Sequence, residues 1–151
     1  MIKVFYSHNI EESGAFIKKA LNKAGYTDIE IKRTQNGKPY TDENVFFSLS
    51  HTENFIICAV SDFEIGIDAE KMRCVEKRGI ISKKFLKIEN ELSDKEFLEL
   101  WTKHESKIKF YGKKLFSSLD EAEINTHTFM IEDYIVSVCA ENTENIETEM
   151  I

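Results

Sequence analysis

The chain has 151 residues, 42% of them hydrophobic, which is enough core for one ordinary domain or two very small halves. Its longest uninterrupted apolar run, Phe55 to Val60, is far too short to span a bilayer, and Met1-Ile2-Lys3-Val4 is too short an apolar start for a signal peptide, so the expectation is a cytoplasmic protein with no membrane segment. The net charge of −7 hides an asymmetry, with 13 basic and 7 acidic side chains in residues 71–114 but 9 acidic and no basic ones in residues 115–151. Such a tail argues against a nucleic-acid partner, whereas the basic middle suits anionic phosphates or an acidic protein, or else simply forms solvated helix faces.

In chain order, Ile2 to Tyr6 reads as a short strand, and Asn9 with Glu12 opens a helix that runs to Ala24 and stops at Gly25. Ile29 to Lys32 resumes extended structure. Thr34 to Asn44 is a polar loop, and its Gly37-Lys38-Pro39 holds the only proline of the chain. Three strand-like runs follow at Val45 to Leu49, Phe55 to Val60 and Ile65 to Ile67. Helical patterning returns from about Val75 to Ile88 and again from Ser93 to Tyr111. Strands at Leu115 to Phe116, Glu123 to Ile124, Phe129 to Ile131 and Ile135 to Cys139 close the chain, and Glu141 onward reads as frayed. Cys58, Cys74 and Cys139 form no C-x-x-C pair, and they read as structural thiols.

The helix from Ser93 is the best specified element. Ser93 and Glu96 form a capping box, Leu92 and Phe97 occupy the flanking staple positions, and Gly112 supplies a left-handed stop. Trp101, Glu105, Ile108 and Gly112 recur at helical spacing, which draws Glu105 toward the buried side with Lys109 one turn on. A buried carboxylate needs a partner, either a metal ion or Lys109.

Both halves run strand, helix or helices, then a cluster of strands, with Asp68 near the join. The expected fold is therefore an α+β pseudo-dimer of two similar halves, 1–68 and 69–151, with the active site in the cleft between them. In Gly66-Ile67-Asp68-Ala69-Glu70 the two carboxylates alternate onto one strand face, and two hard oxygens there, with a third from Glu105, suit Mg2+. Read alone, this D-x-E is equally compatible with a solvated strand end. Ser48-Leu49-Ser50-His51-Thr52 ends a strand with hydroxyls and an imidazole suited to an anion, or forms a simple turn.

Taken together, Gly37-Lys38-Pro39, Phe47 to Thr52, Gly66 to Glu70, Phe85-Leu86 with Glu89, and Trp101 to Lys109 resemble the 4'-phosphopantetheinyl transferase superfamily, in particular its two-lobed, surfactin-synthetase-activating type. The resemblance covers Gly37 to Gly112. It implies Mg-dependent transfer of the phosphopantetheine arm of coenzyme A to a serine of an acyl or peptidyl carrier protein, with release of 3',5'-ADP. By the same resemblance, Asp68, Glu70 and Glu105 match magnesium ligands, Glu105 also matches the base, and Lys109 matches the lysine beside the phosphate. Gly37, Lys38 and Pro39 match the segment beside the adenine, and Ser50 with His51 matches contacts to coenzyme A phosphate.

Compared with that family the amino-terminal half is short, and the basic segment before its first helix has no counterpart beyond Lys18, Lys19 and Lys23. His104 stands where the family pattern has lysine, either as a weaker contact to coenzyme A or as polar filler. Carrier proteins of this kind are acidic, so Arg73, Arg78, Lys83, Lys84 and Lys87 are the expected docking contacts. Two fused halves imply a monomer. The alternative is a non-catalytic relative that binds coenzyme A or a carrier, which would show itself by loss of a metal ligand or of the base.

Overall fold

The computed structural model describes residues 1–9, 11–112 and 124–151. Leu115 to Phe116, and Glu123 of the expected Glu123–Ile124 strand, lie outside them. The described chain is a mixed α+β fold whose longer strands form two sheets. In the first sheet, β1 (Ile2–Ser7), β4 (Phe46–Thr52), β5 (Phe55–Ser61) and β9 (Ile146–Met150) lie in the order β4-β5-β1-β9. The second sheet contains β6 (Ile65–Lys71), β7 (Asn125–Ile131) and β8 (Tyr134–Ala140) in the order β6-β8-β7. A small ribbon of β2 (Lys32–Arg33) and β3 (Pro39–Tyr40) frames the 34–38 turn.

Side-chain alternation along the strands builds the layers. On β5, Phe55, Ile57 and Ala59 enter the core between the sheets, whereas Ile56, Cys58 and Val60 pack with Phe16, Ile17, Ala20 and Leu21 of α1 (Ser13–Ala24). On β8, Tyr134, Val136, Val138 and Ala140 enter the same inter-sheet core, and Ile135 faces Phe97, Leu98 and Trp101 of α3 (Asp94–Tyr111). All seven residues of both β5 and β8 are buried because each strand is covered on both faces. Phe55 and Tyr134 stack across the layers with ring centroids 3.9 Å apart.

α3 begins as its sequence dictates. Ser93 Oγ accepts from Glu96 N, the Glu96 carboxylate accepts from Ser93 N, and Gly112 ends the helix at φ +68°. Gly66 sets its distance from the sheet. A Cβ there would lie 2.0 Å from the Ser106 carbonyl oxygen and 2.6 Å from Phe110 N, so only a glycine lets the helix backbone rest on β6.

Three local expectations change. α1 is capped by Glu12, whose carboxylate accepts from Gly14 N and Ala15 N, rather than from Asn9. The expected helix over 75–88 reduces to α2 (Arg78–Ile81) and a π-helical turn, Ser82–Leu86, that ends at Lys87 with φ +55°. Here tertiary packing overrides periodicity, because Val75, Ile81, Phe85 and Leu86 drape over Phe97 and Trp101 instead of lining one helix face. The tail is ordered: β9 pairs in parallel with β1, from Ile2 opposite Ile146 to Tyr6 opposite Met150. β6 runs through position 68, and β9, from the end of the chain, belongs to the first sheet.

Gly66→Ala is expected to lower stability by about 3 kcal/mol, at the upper end for an overpacked core, as the helix is forced off the strand. Urea unfolding monitored by circular dichroism measures it, and a wild-type midpoint would show that the close approach is not needed.

Candidate active site

β6 is an edge strand, and its outward N–H groups need acceptors. Ser48 and Ser50 of β4 supply them: Ile67 N donates to Ser48 Oγ (3.1 Å) and Ala69 N to Ser50 Oγ (3.2 Å). These bonds tie the edge of one sheet to the edge of the other. Ile65, Ile67 and Ala69 then point into the inter-sheet core, and Gly66, Asp68 and Glu70 point toward α3.

The result is a cleft of about 560 Å³ whose lining includes Ser50, His51, Asp68, Glu70, Arg73, Trp101, Glu105 and Lys109. Oxygens of Asp68, Glu70 and Glu105 lie within 4.8 Å of one another, and Asp68 and Glu105 are 3% and 6% exposed. Lys109 Nζ donates to Asp68 Oδ1 at 2.9 Å, as does the Ser50 hydroxyl at 3.2 Å. Asp68 Oδ2 is buried and has no hydrogen-bond partner among the described residues. Arg73 donates to Glu70 Oε2 at 2.7 Å.

Burial, reinforced by the charge of Asp68 and opposed by Lys109, pushes the Glu105 carboxyl up to about 9. Burial also raises Glu70, against the pull of Arg73. Three close carboxylates with a buried, unpartnered oxygen form a hard-donor set with excess negative charge, and this fits a divalent cation.

The remaining expected site residues are dispersed. Lys38 and Pro39 line a separate pocket of about 400 Å³ with Tyr40, Phe46, Phe47 and Phe110, while Gly37 makes the turn at φ +85°. Lys38 pairs with Glu64 and donates to the Phe110 carbonyl at 3.2 Å, a cation at the negative end of α3. His51 lines both the carboxylate cleft and a neighbouring pocket that contains Glu11, Glu12 and Glu53. His104 stacks on the Trp101 ring, centroids 5.5 Å apart, and is not among the residues that line the cleft.

Two of the five expected docking residues are engaged in the fold. Arg73 lines the cleft and holds Glu70. Arg78 donates to the carbonyls of Leu92 (2.6 Å) and Val75 (3.1 Å) and pairs with Asp94 at 3.3 Å, so it staples the 75–92 segment to the start of α3. Lys83 is well exposed and pairs with Glu89 at 3.9 Å, Lys84 lies 5.3 Å from the Phe85 ring centroid, and Lys87 is exposed at the end of the π-helical turn. Sequence reasoning missed the Arg73–Glu70 pair and the serine clamps, although the Ser-x-Ser alternation on β4 carries the signal for the clamps.

No family model matches the chain. Similar proteins include the 4'-phosphopantetheinyl transferase gsp of Aneurinibacillus migulanus, 33% identical over 99 residues, or 59% of this chain and 40% of that protein. The 4'-phosphopantetheinyl transferase ffp of Bacillus subtilis is 36% identical over 130 residues, 78% of this chain and 54% of that protein. Sfp of Bacillus subtilis (strain 168), also a 4'-phosphopantetheinyl transferase, is 32% identical over 113 residues, 67% and 49% of the respective chains. The chain belongs to the 4'-phosphopantetheinyl transferase superfamily. It spans about half the length of the curated relatives it matches.

The raised Glu105 carboxyl has a consequence for stability. Between its ordinary value of 4.5 and about 9, the metal-free native state holds a proton that the unfolded chain has lost, so stability should fall as pH rises through that window. Urea unfolding in EDTA from about pH 5 to pH 9 measures this slope, and Glu105→Gln should flatten it. Equal slopes in both proteins would contradict the assignment.

Proposed function

We propose that the chain is an Mg-dependent 4'-phosphopantetheinyl transferase, moving the phosphopantetheine arm of coenzyme A onto a serine of an acidic acyl or peptidyl carrier protein. The observation that carries this reading is the convergence of Asp68 and Glu70 from β6 with Glu105 and Lys109 from α3 in one cleft. The non-catalytic alternative calls for loss of a ligand or of the base, and all four residues are present and brought together. On this reading the two helix-covered sheets act as the two lobes of a pseudo-dimer within one chain. The working unit would then be a cytoplasmic monomer.

In the proposed reaction the carrier serine oxygen attacks the phosphorus that bears the pantetheine arm, and the bond from that phosphorus to 3',5'-ADP breaks. Glu105 takes the serine proton. Lys109 presents its ammonium to the phosphate oxygens while remaining anchored on Asp68. Asp68, Glu70 and Glu105 would hold Mg2+, which when bound neutralises oxyanion charge and offsets the repulsion that keeps Glu105 protonated. Trp101 walls one side of the cleft and limits access of water to the reacting centre.

The 3'-phosphate of coenzyme A has no evident cationic cradle among the described residues. Lys19 is paired with Glu11 (3.1 Å) and Lys23 with Glu149 (3.5 Å), and the pocket next to His51 is acidic. A weak hold on coenzyme A is therefore part of the proposal. Carrier docking is assigned to Lys83, Lys84 and Lys87 together with Ile80, an isoleucine left 69% exposed next in sequence to the cleft-lining Ile81.

Release of 3',5'-ADP in the presence of coenzyme A, Mg2+ and an apo carrier protein tests the site. Asp68→Ala and Glu105→Gln should each lower the rate by at least about a hundredfold, whereas Glu99→Gln, whose parent pairs with Lys95 away from the cleft, should leave it unchanged. Near-wild-type turnover by Asp68→Ala would exclude this site. For docking, Lys83→Glu with Lys84→Glu should raise KM for the carrier several-fold, less so at high salt, with KM for coenzyme A unchanged. Arg78→Ala should instead lower Tm, and equal effects of the double reversal on both substrates would argue against docking there.

A further inference from the structure

The hydroxyl of Ser50 has one proton to give and two lone pairs with which to accept. One lone pair takes the Ala69 N–H at 3.2 Å, and the proton goes to Asp68 Oδ1, also at 3.2 Å. Ser50 is only 5% exposed. A phosphate oxygen only accepts hydrogen bonds, so Ser50 could hold a phosphate only by giving up Asp68.

Asp68 accounts for the other half of the arrangement. Its Oδ1 receives both Ser50 and Lys109, while its Oδ2 is buried with no hydrogen-bond partner among the described residues. Two donors on one oxygen fix the carboxylate plane and leave the other oxygen open to a cation, in a group whose carboxylate oxygens from Asp68, Glu70 and Glu105 lie within 4.8 Å of one another. We infer that the Ser50 hydroxyl is a positioning group for the Asp68 carboxylate, orienting Oδ2 as a cation ligand. This rests on reading the three carboxylates as a divalent-cation site.

Ser48 provides the control. It makes the same clamp to β6, accepting from Ile67 N at 3.1 Å, but no hydrogen bond joins it to Asp68. Both serine-to-alanine variants should lose some stability through an unpaired backbone N–H. Only Ser50→Ala should loosen the cation site.

Titration of the full chain with Mn2+ alone, with free ion read by electron paramagnetic resonance, separates the two roles, since manganese shares magnesium's preference for carboxylate oxygens. Ser50→Ala should weaken Mn2+ binding about tenfold, the usual effect of removing a partner that orients a ligand, and Ser48→Ala should change it less than about twofold. Ser50→Cys, similar in size but a weak donor, should behave like Ser50→Ala and keeps the test valid if the alanine variant does not fold. Wild-type affinity in the Ser50 variants, or an equal loss in Ser48→Ala, would overturn the inference. So would a raised KM for coenzyme A in Ser50→Ala with Mn2+ binding intact, because that is the behaviour of a phosphate contact. If wild type and Asp68→Asn bind Mn2+ equally poorly, the cation-site reading itself fails, and the inference falls with it.

Discussion

The bond from Lys109 to Asp68 is the interaction on which the rest of the cleft depends. It spans 2.9 Å between α3 and β6, with the carboxylate almost fully buried and the lysine side chain a quarter exposed. Breaking such a pair by removing one partner typically costs about 3–5 kcal/mol, because the remaining charge is stranded out of water. Gly66 makes the pairing possible by letting the helix backbone settle on the strand. The two serine clamps from β4 hold that strand against the first sheet. A helix and an edge from each sheet therefore meet at one aspartate.

Clustered carboxylates are an unfavourable thing to build into a core. Among the described residues Lys109 pairs with Asp68 and Arg73 with Glu70, and burial, reinforced by the mutual repulsion of the carboxylates, raises the Glu105 and Glu70 carboxyls. Purely structural charge would be expected to pair off more completely. Excess negative charge beside an orphaned Asp68 oxygen in a cleft is the arrangement that the proposed cation would complete.

Legibility in the sequence followed the range of the signal. Ser93, Glu96 and Gly112 act within a turn of their own helix, so the limits of α3 were readable, and its spacing carried Glu105 inward and Lys109 onto the same face. The Asp68-x-Glu70 alternation is equally local. What could not be read depends on distant partners. The 75–88 segment follows the surface of Trp101 and Phe97, β9 is defined by its pairing with β1 from the other end of the chain, and Arg78 is committed to carbonyls fourteen and three residues away. The Ser50 hydroxyl's bond to Asp68 was likewise hidden, because it depends on which strand lies across from it.

The chain spans about half the length of its curated relatives, and it brings Asp68, Glu70, Glu105 and Lys109 together in one cleft. The proposed chemistry can be tested apart from the strength of coenzyme A binding. Intact-protein mass spectrometry of an apo carrier protein incubated with this chain, excess coenzyme A and Mg2+ tests it most directly. The account predicts the gain of one phosphopantetheine on a carrier serine, abolished by Asp68→Ala. An unchanged carrier mass under conditions where the chain demonstrably binds coenzyme A would contradict it.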